Sequence, residues 1–325
     1  MLTLGQRVEN ERVFAKLIGE PINPNAIGLP IELATIANYD TAEPGEHVYR
    51  LSNVDKTADV VLVADAAGLI TPVKRTPIGD TLLTFVDVNS KLEYVQIGEV
   101  LNSPDQTALA RRKSAITRSM DLREIKIVLD ALITPSSSYF PANQVDNNEV
   151  TVASGQDLYD VFVAMKQKIE DYGDNFPCLV APNVKSKLDV YDKEQASVFN
   201  YNVDIMDKLR SVGIEVTKIF GMVSLADNEV ETALLASNKI IMVSENSRIP
   251  NAGKPITVVR RKFSAEIAQM MGATVDSVQR ALITVNAPVQ NDGNRAAFGI
   301  YGYSSNIFCI TNPYAVGYAD VADIM

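Results

Sequence analysis

Between Glu46 and Leu132 the sequence specifies a long extended hairpin that runs straight into a long helix, and neither part is able to bury its own apolar surface. The runs His47–Leu51, Val60–Val63, Leu82–Val86 and Leu92–Ile97 are rich in β-branched and aromatic residues, and Gly68, Pro72, Pro77 and Gly79 punctuate them as turns. An isolated hairpin is marginal in water, so its stability has to come from contacts made elsewhere. Such a segment is expected to find its partners on neighbouring subunits. The chain therefore reads as an assembly protein before it reads as an enzyme.

The helix has its own start and stop signals. Ser103 suits a cap, Pro104 the first helical position and Gln106 the reciprocal capping role. Leu109, Ile116, Met120, Ile125, Val128, Leu129 and Leu132 then recur at spacings near three and four until Pro135. A helix over 104–132 would be about 40 Å long at the usual rise. Its first half carries Arg111, Arg112, Lys113 and Arg118, which predicts a charged face turned to solvent or to a charged partner.

With 325 residues there is ample material for a core or for two to three modest domains. The 40 acidic residues outnumber the 30 Lys and Arg, for a net charge of −10, and the basic residues form no block. Specific nucleic-acid recognition is disfavoured by that balance, because phosphate neutralisation needs clustered cations. An acidic container around nucleic acid, touching it non-specifically, fits. Cys178 and Cys309 are far apart and each sits in an apolar run, the pattern of buried free thiols in a reducing compartment. The residues after Met1 lack the apolar core of a signal peptide, and no stretch approaches a membrane span, so folding in the cytosol is expected.

Elsewhere the pattern alternates. Residues 5–18 predict a short helix, followed by an extended stretch through Pro21, Pro24, Gly28 and Pro30. Helices are predicted over 157–172, 184–191 and 205–212, the last stopped by Gly213, with strands over 176–181 and 214–219. Thr232–Ala236 and Lys239–Val243 look like a strand pair turned at Ser237–Asn238, closing a compact α/β unit. The last third predicts strands over 256–263, 279–286 and 304–311, then Asn312–Val316 and a short polar tail.

No motif advertises chemistry. His47 is the single histidine and has no Cys or clustered carboxylates beside it in sequence, so metal or triad chemistry lacks partners. Gly253–Lys254–Pro255 lacks the first glycine and the following Ser or Thr of a phosphate loop, and Gly299–x–x–Gly302 is too short for a dinucleotide fingerprint. Asp189, Asp192 and Glu194, or Asp204 and Asp207, could pair on helix faces, but capping and solvation explain them more simply. No catalytic residue, cofactor or metal is expected.

The order of parts resembles the major capsid proteins of tailed double-stranded DNA bacteriophages, with the α+β Hong Kong 97-like capsid fold. Lys91–Ser103 resembles the hairpin strand that descends into the spine helix of that family. Phe176–Leu188 is similar to its axial-domain strand and helix, and Ile307–Val316 to its closing strand. The resemblance implies an N-terminal arm at 1–45 and an E-loop hairpin at 46–102. The spine helix and first part of the peripheral domain follow at 103–154, the main axial domain at 155–250, and a β-rich return at 251–325 completes both domains. It further implies that the E-loop tip, with Thr71, Pro72, Lys74, Arg75 and Pro77, is an assembly interface on an adjacent subunit.

The implied function is structural: hexamers and pentamers closing into an icosahedral virion shell, assembled in the host cytoplasm around packaged double-stranded DNA. A portal, a separate scaffolding protein and a decoration protein are the implied partners, with no membrane. Forty-five residues before the hairpin leave no room for a fused scaffold of the family's size. Covalent Lys–Asn cross-linking occurs in the founding member; Lys74 is the candidate lysine, ahead of Lys56 and Lys91, with no matching asparagine. Two alternatives stand beside this reading: an encapsulin-type compartment, and a cytosolic α/β enzyme using the carboxylates near Asp189 to Glu194.

Overall fold

The computed structural model describes residues 29–44, 48–51, 81–91, 93–96, 107–133, 149–199, 204–224, 230–247, 253–264, 280–285 and 297–324. Two sheets organise them. The first, of six strands, is assembled on one long strand, β14 (Ala297–Ile310), which carries four partners at different heights. Asn306–Ile310 pair with β12 (Ile256–Arg261), and Gly299–Ser304 with β13 (Arg280–Val285). Tyr303–Asn306 pair with β4 (Val86–Asn89) and Ala297–Ile300 with β5 (Glu93–Gln96). β1 (Ala37–Ala42) adds to β12 in parallel.

Strand alternation sorts the residues of this sheet onto two faces. Ile256 and Val258 with Phe308 and Ile310 join the main core, whereas Val259, Ile307 and Cys309 form a separate cluster with Ala42 and Phe85. Helix α2 (Thr107–Ile133), which follows the one-turn helix α1 (Ile31–Ala34), lies against the first of these faces. Its Ile116, Met120, Ile125, Val128, Leu129 and Leu132 are all buried, as the three-and-four spacing predicts. At 27 residues it is about 40 Å long.

The second sheet has the order β6 (Glu149–Val150), β15 (Val316–Asp320), β11 (Lys239–Val243), β7 (Phe176–Val180), β8 (Ile214–Lys218). β7 buries all five residues, the signature of a strand covered on both faces. Helix α3 (Leu158–Ile169) packs on β15 and β11 through Leu158, Val161, Phe162, Met165 and Ile169, each burial contributing about 1.5–3 kcal/mol. Asp157 caps its start by accepting from the Tyr159 N–H. The following α4 (Pro182–Phe199) extends beyond the expected 184–191, and α5 (Ile205–Ser211) ends where Gly213 takes φ +81°, the left-handed stop that glycine permits.

Three expectations change. Thr232–Ala236 and Lys239–Val243 do not pair with each other: β10 (Thr232–Ala233) pairs with β9 (Met222–Val223), and β11 lies between β7 and β15. Leu234 and Leu235 are drawn into the core between them, and Asn238, at φ 68°, turns the chain into the second sheet rather than back on itself. The residues after Val316 are no polar tail, because they continue β15, an inner strand whose Val316 and Ala319 are fully buried, and Val321 follows them inside. The extended stretch after Pro30 begins with the helical turn α1 before β1. The sheet of the α/β unit takes in β6 and β15 from outside 155–250.

Candidate assembly surface and its buried anchor

The expected hairpin is described only at its base and along its return. Its base, β2 (Val48–Leu51) and β3 (Thr81–Thr84), forms a two-stranded sheet that, among the described residues, pairs with nothing else. Immediately downstream, β4 and β5 anchor the hairpin's return to β14. The expected interface residues Thr71, Pro72, Lys74, Arg75 and Pro77 lie outside the described residues, as do Lys56, His47 and the capping residues Ser103 to Gln106. Lys91 is described, 3.7 Å from Glu231.

The charged first half of α2 holds the hairpin's root to the body. Arg112 donates to Glu93 of β5 at 3.1 Å, and Arg118 reaches Glu32 of α1 at 3.2 Å. Both pairs are partly exposed, so each contributes at most a modest fraction of a kcal/mol to about 1 kcal/mol. Arg111 is exposed. Of the three arginines assigned to the charged face, two are therefore tied to acids of this same chain.

The second half of α2 is fixed by a buried ionic cluster that sequence reasoning did not find. Glu124 and Arg260 are both wholly buried, with Oε2 and Nη2 2.5 Å apart. Arg280 sits 2.7 Å from the same carboxylate and donates to Asp121 at 2.6 Å. Asn306 donates to Glu124 at 3.0 Å, and Ser304 at 3.4 Å. Register explains the convergence: Arg260 lies opposite Asn306, and Arg280 opposite Ser304, so two neighbouring rungs aim four polar side chains at one helical carboxylate. The Arg260 guanidinium also lies over the Tyr39 ring, 5.6 Å from its centroid, adding β1 to the junction.

Burial alone would push the Glu124 carboxyl up, but the Arg260 and Arg280 guanidiniums outweigh it and hold it below its ordinary value. For Asp121 the balance goes the other way: burial raises it despite the attraction of Arg280. Burial likewise pushes the Tyr39 hydroxyl up. The opposite face of the sheet carries a milder network, in which Ser305 and Tyr303 donate to Asp87 at 2.9 Å and Arg261 lies over Phe85.

The remaining candidates are structural. Asp204 caps α5 by accepting from Met206 and Asp207 N–H groups, and Asp207 pairs with Arg210. Asp189 is exposed and pairs with Lys185 one turn earlier, while the side chains of Asp192 and Glu194 lie outside the described residues. Lys254 donates to the Ala34 carbonyl in a bend, and Gly299 and Gly302 lie within β14. Both thiols are free and buried; burial pushes Cys178 up and Cys309 up to about 12. Among the described residues no three potential metal ligands cluster, and no helix is long and apolar enough to cross a membrane.

No protein-family model and no curated protein sequence matches the chain. Solved structures do match, over almost its whole length. One from Mycobacterium phage Bobi aligns at 12% identity and a TM-score of 0.52, covering 95% of this chain and 97% of that one. One from Mycobacterium phage Adephagia aligns at 11% identity and 0.51, covering 96% and 98%. The capsid of an empty GTA particle aligns at 13% identity and 0.50, covering 93% and 94%. The chain has the α+β Hong Kong 97-like capsid fold.

Proposed function

We propose that the chain is a shell-forming subunit, the major capsid protein of a tailed double-stranded DNA phage, and that it closes through hexamers and pentamers into an icosahedral shell around packaged DNA. The observation that carries this reading is the near-complete alignment with a particle capsid, 93% of this chain on 94% of that one. The isolated β2–β3 base supports it, because a hairpin base that, among the described residues, pairs with neither larger sheet suits a clasp on a neighbour. In this reading residues 1–45 are the arm, 46–102 the E-loop, 103–154 the spine helix and start of the peripheral domain, 155–250 the main axial domain and 251–325 the return.

The E-loop tip, with Thr71, Pro72, Lys74, Arg75 and Pro77, grips the adjacent subunit, and Arg111 on the charged face of the spine helix meets a neighbour or packaged DNA without sequence preference. The net charge of −10 suits an inner wall that does not hold DNA tightly. Portal, separate scaffolding and decoration proteins complete the particle, which is built in the host cytoplasm. Deleting Leu69 to Gly79 tests the clasp: the subunit should keep its circular dichroism and melting transition and lose particle formation under electron microscopy. Normal particles from that deletion contradict the proposal, and DNA-free particles without tails from a host expressing the whole gene neighbourhood would favour a cargo compartment.

A further inference from the structure

The cluster around Glu124 leaves one donor edge and one acceptor over. Arg280 donates to Asp121 through Nη1 at 2.6 Å, and charge holds its Nη2 2.7 Å from Glu124 Oε2 without an aligned hydrogen bond. Its Nε and Nη2 are sealed from solvent and, among the described residues, donate to no acceptor. Asn306 is wholly buried, and its Oδ1 likewise accepts from no donor among the described residues. Buried polar atoms in native proteins are satisfied with few exceptions, by other protein groups or by ordered water.

Reversing the Asn306 amide does not remove the mismatch. Its Nδ2 donates to Glu124 Oε1 and to Ser304 Oγ, both at 3.0 Å, and the Ser304 hydroxyl itself donates to Glu124 Oε1 at 3.4 Å. The reversed amide would set its oxygen against the carboxylate, so Oδ1 has to point away from Glu124. The two leftover groups come from neighbouring places in the sheet. Arg280 lies opposite Ser304, and Asn306 is two residues further along β14, on the same face. Each side chain lies against one oxygen of the same carboxylate, Arg280 at Oε2 and Asn306 at Oε1.

The chemistry of the leftover atoms selects the ligand. Nε and Nη2 share one edge of the planar guanidinium and present parallel N–H groups, so a single oxygen can accept from both. Asn306 Oδ1 needs a donor. An anion would suit the guanidinium edge but be repelled by Oδ1 and by Glu124, and a cation would be repelled by Arg280 and Arg260. A neutral group that accepts on one side and donates on the other is required, and three hydrogen bonds is the usual number for a buried water.

We infer that a water molecule is sealed into the junction of α2 with the six-stranded sheet, accepting from Arg280 Nε and Nη2 and donating to Asn306 Oδ1. It links β13 to β14 through side chains, in addition to their backbone ladder. The site lies within a single subunit, so it stands or falls apart from the shell reading.

The test is a crystal structure of the unmodified subunit at a resolution that shows ordered water, repeated on crystals grown in bromide. The expected result is a solvent peak about 2.7–3.2 Å from both Arg280 Nε and Asn306 Oδ1, with no anomalous signal in bromide. Anomalous signal at the peak means an anion and overturns the inference, and so does a map without the peak. In solution, oxygen-17 relaxation dispersion counts long-lived internal waters. Arg280→Lys keeps the charge and loses the two-donor edge, so it should hold one fewer than the unmodified chain; an equal number overturns the inference.

Discussion

Glu124 of the long helix and Arg260 of β12 form an ion pair with no solvent exposure on either side chain, and it ties together elements that are 136 residues apart. Removing one partner of a buried pair leaves the other charge without compensation, which typically costs about 3–5 kcal/mol. Glu124→Ala removes the carboxylate that Arg260 and Arg280 share, with Arg280 keeping Asp121. Urea denaturation of dissociated subunits should show a loss of that size, far above the change from Arg118→Ala at a half-exposed pair. Equal effects from the two variants would remove the cluster from its anchoring role.

The acid response has a definite sign. Glu124 has a folded pKa below its ordinary 4.5, so the stability it contributes is present above that value and is lost as pH falls through the lower folded value. Asp121, raised above its ordinary 3.8, acts in reverse: its carboxylate costs stability at neutral pH, and the cost disappears on protonation. Between about pH 5 and pH 3 the urea midpoint of the unmodified subunit should therefore fall more steeply than that of Glu124→Gln. Parallel slopes would show that the Glu124 carboxylate is not held below its ordinary range.

Gly173 sets a second, steric limit. A Cβ there would lie 2.3 Å from the Glu245 carbonyl oxygen, although its backbone is ordinary extended chain. Gly155 is the converse, with open space around it but φ +79°. Gly173→Ala must push two backbone segments apart and should cost about 3 kcal/mol, at the top of the overpacking range. Gly155→Ala should cost about 1–2 kcal/mol from conformation alone. Thermal melts of the two variants check the order.

Cys178 and Cys309 should both resist a disulfide-exchange reagent at mildly alkaline pH, because burial keeps each thiol protonated and shields it from attack. Two equivalents should react after unfolding in denaturant. Rapid reaction of either in the folded subunit would contradict its burial.

Much of the fold was legible because it is periodic. The helical spacing of Ile116, Met120, Val128 and Leu132 marked α2 along its described length, and the apolar run at Phe176 marked β7. What escaped was pairing between distant segments. β11 reads the same whether it pairs with Thr232–Ala236 or with β15, because both are short, largely apolar runs that fix no partner locally. The cluster left a faint signal: Glu124 falls on the helical row of Met120 and Val128, and Arg260 and Asn306 fall on the inward rows of Ile256 and Ile310. Charges on apolar faces mark a buried partner, but nothing local shows that these three residues meet one another.

The most direct measurement is the mass of the native assembly, by sedimentation or mass photometry, on the purified unmodified chain. The account predicts closed particles many times the 35.4 kDa subunit mass, resolved by electron microscopy as icosahedral shells. A single stable species at 35.4 kDa under every assembly condition would contradict it.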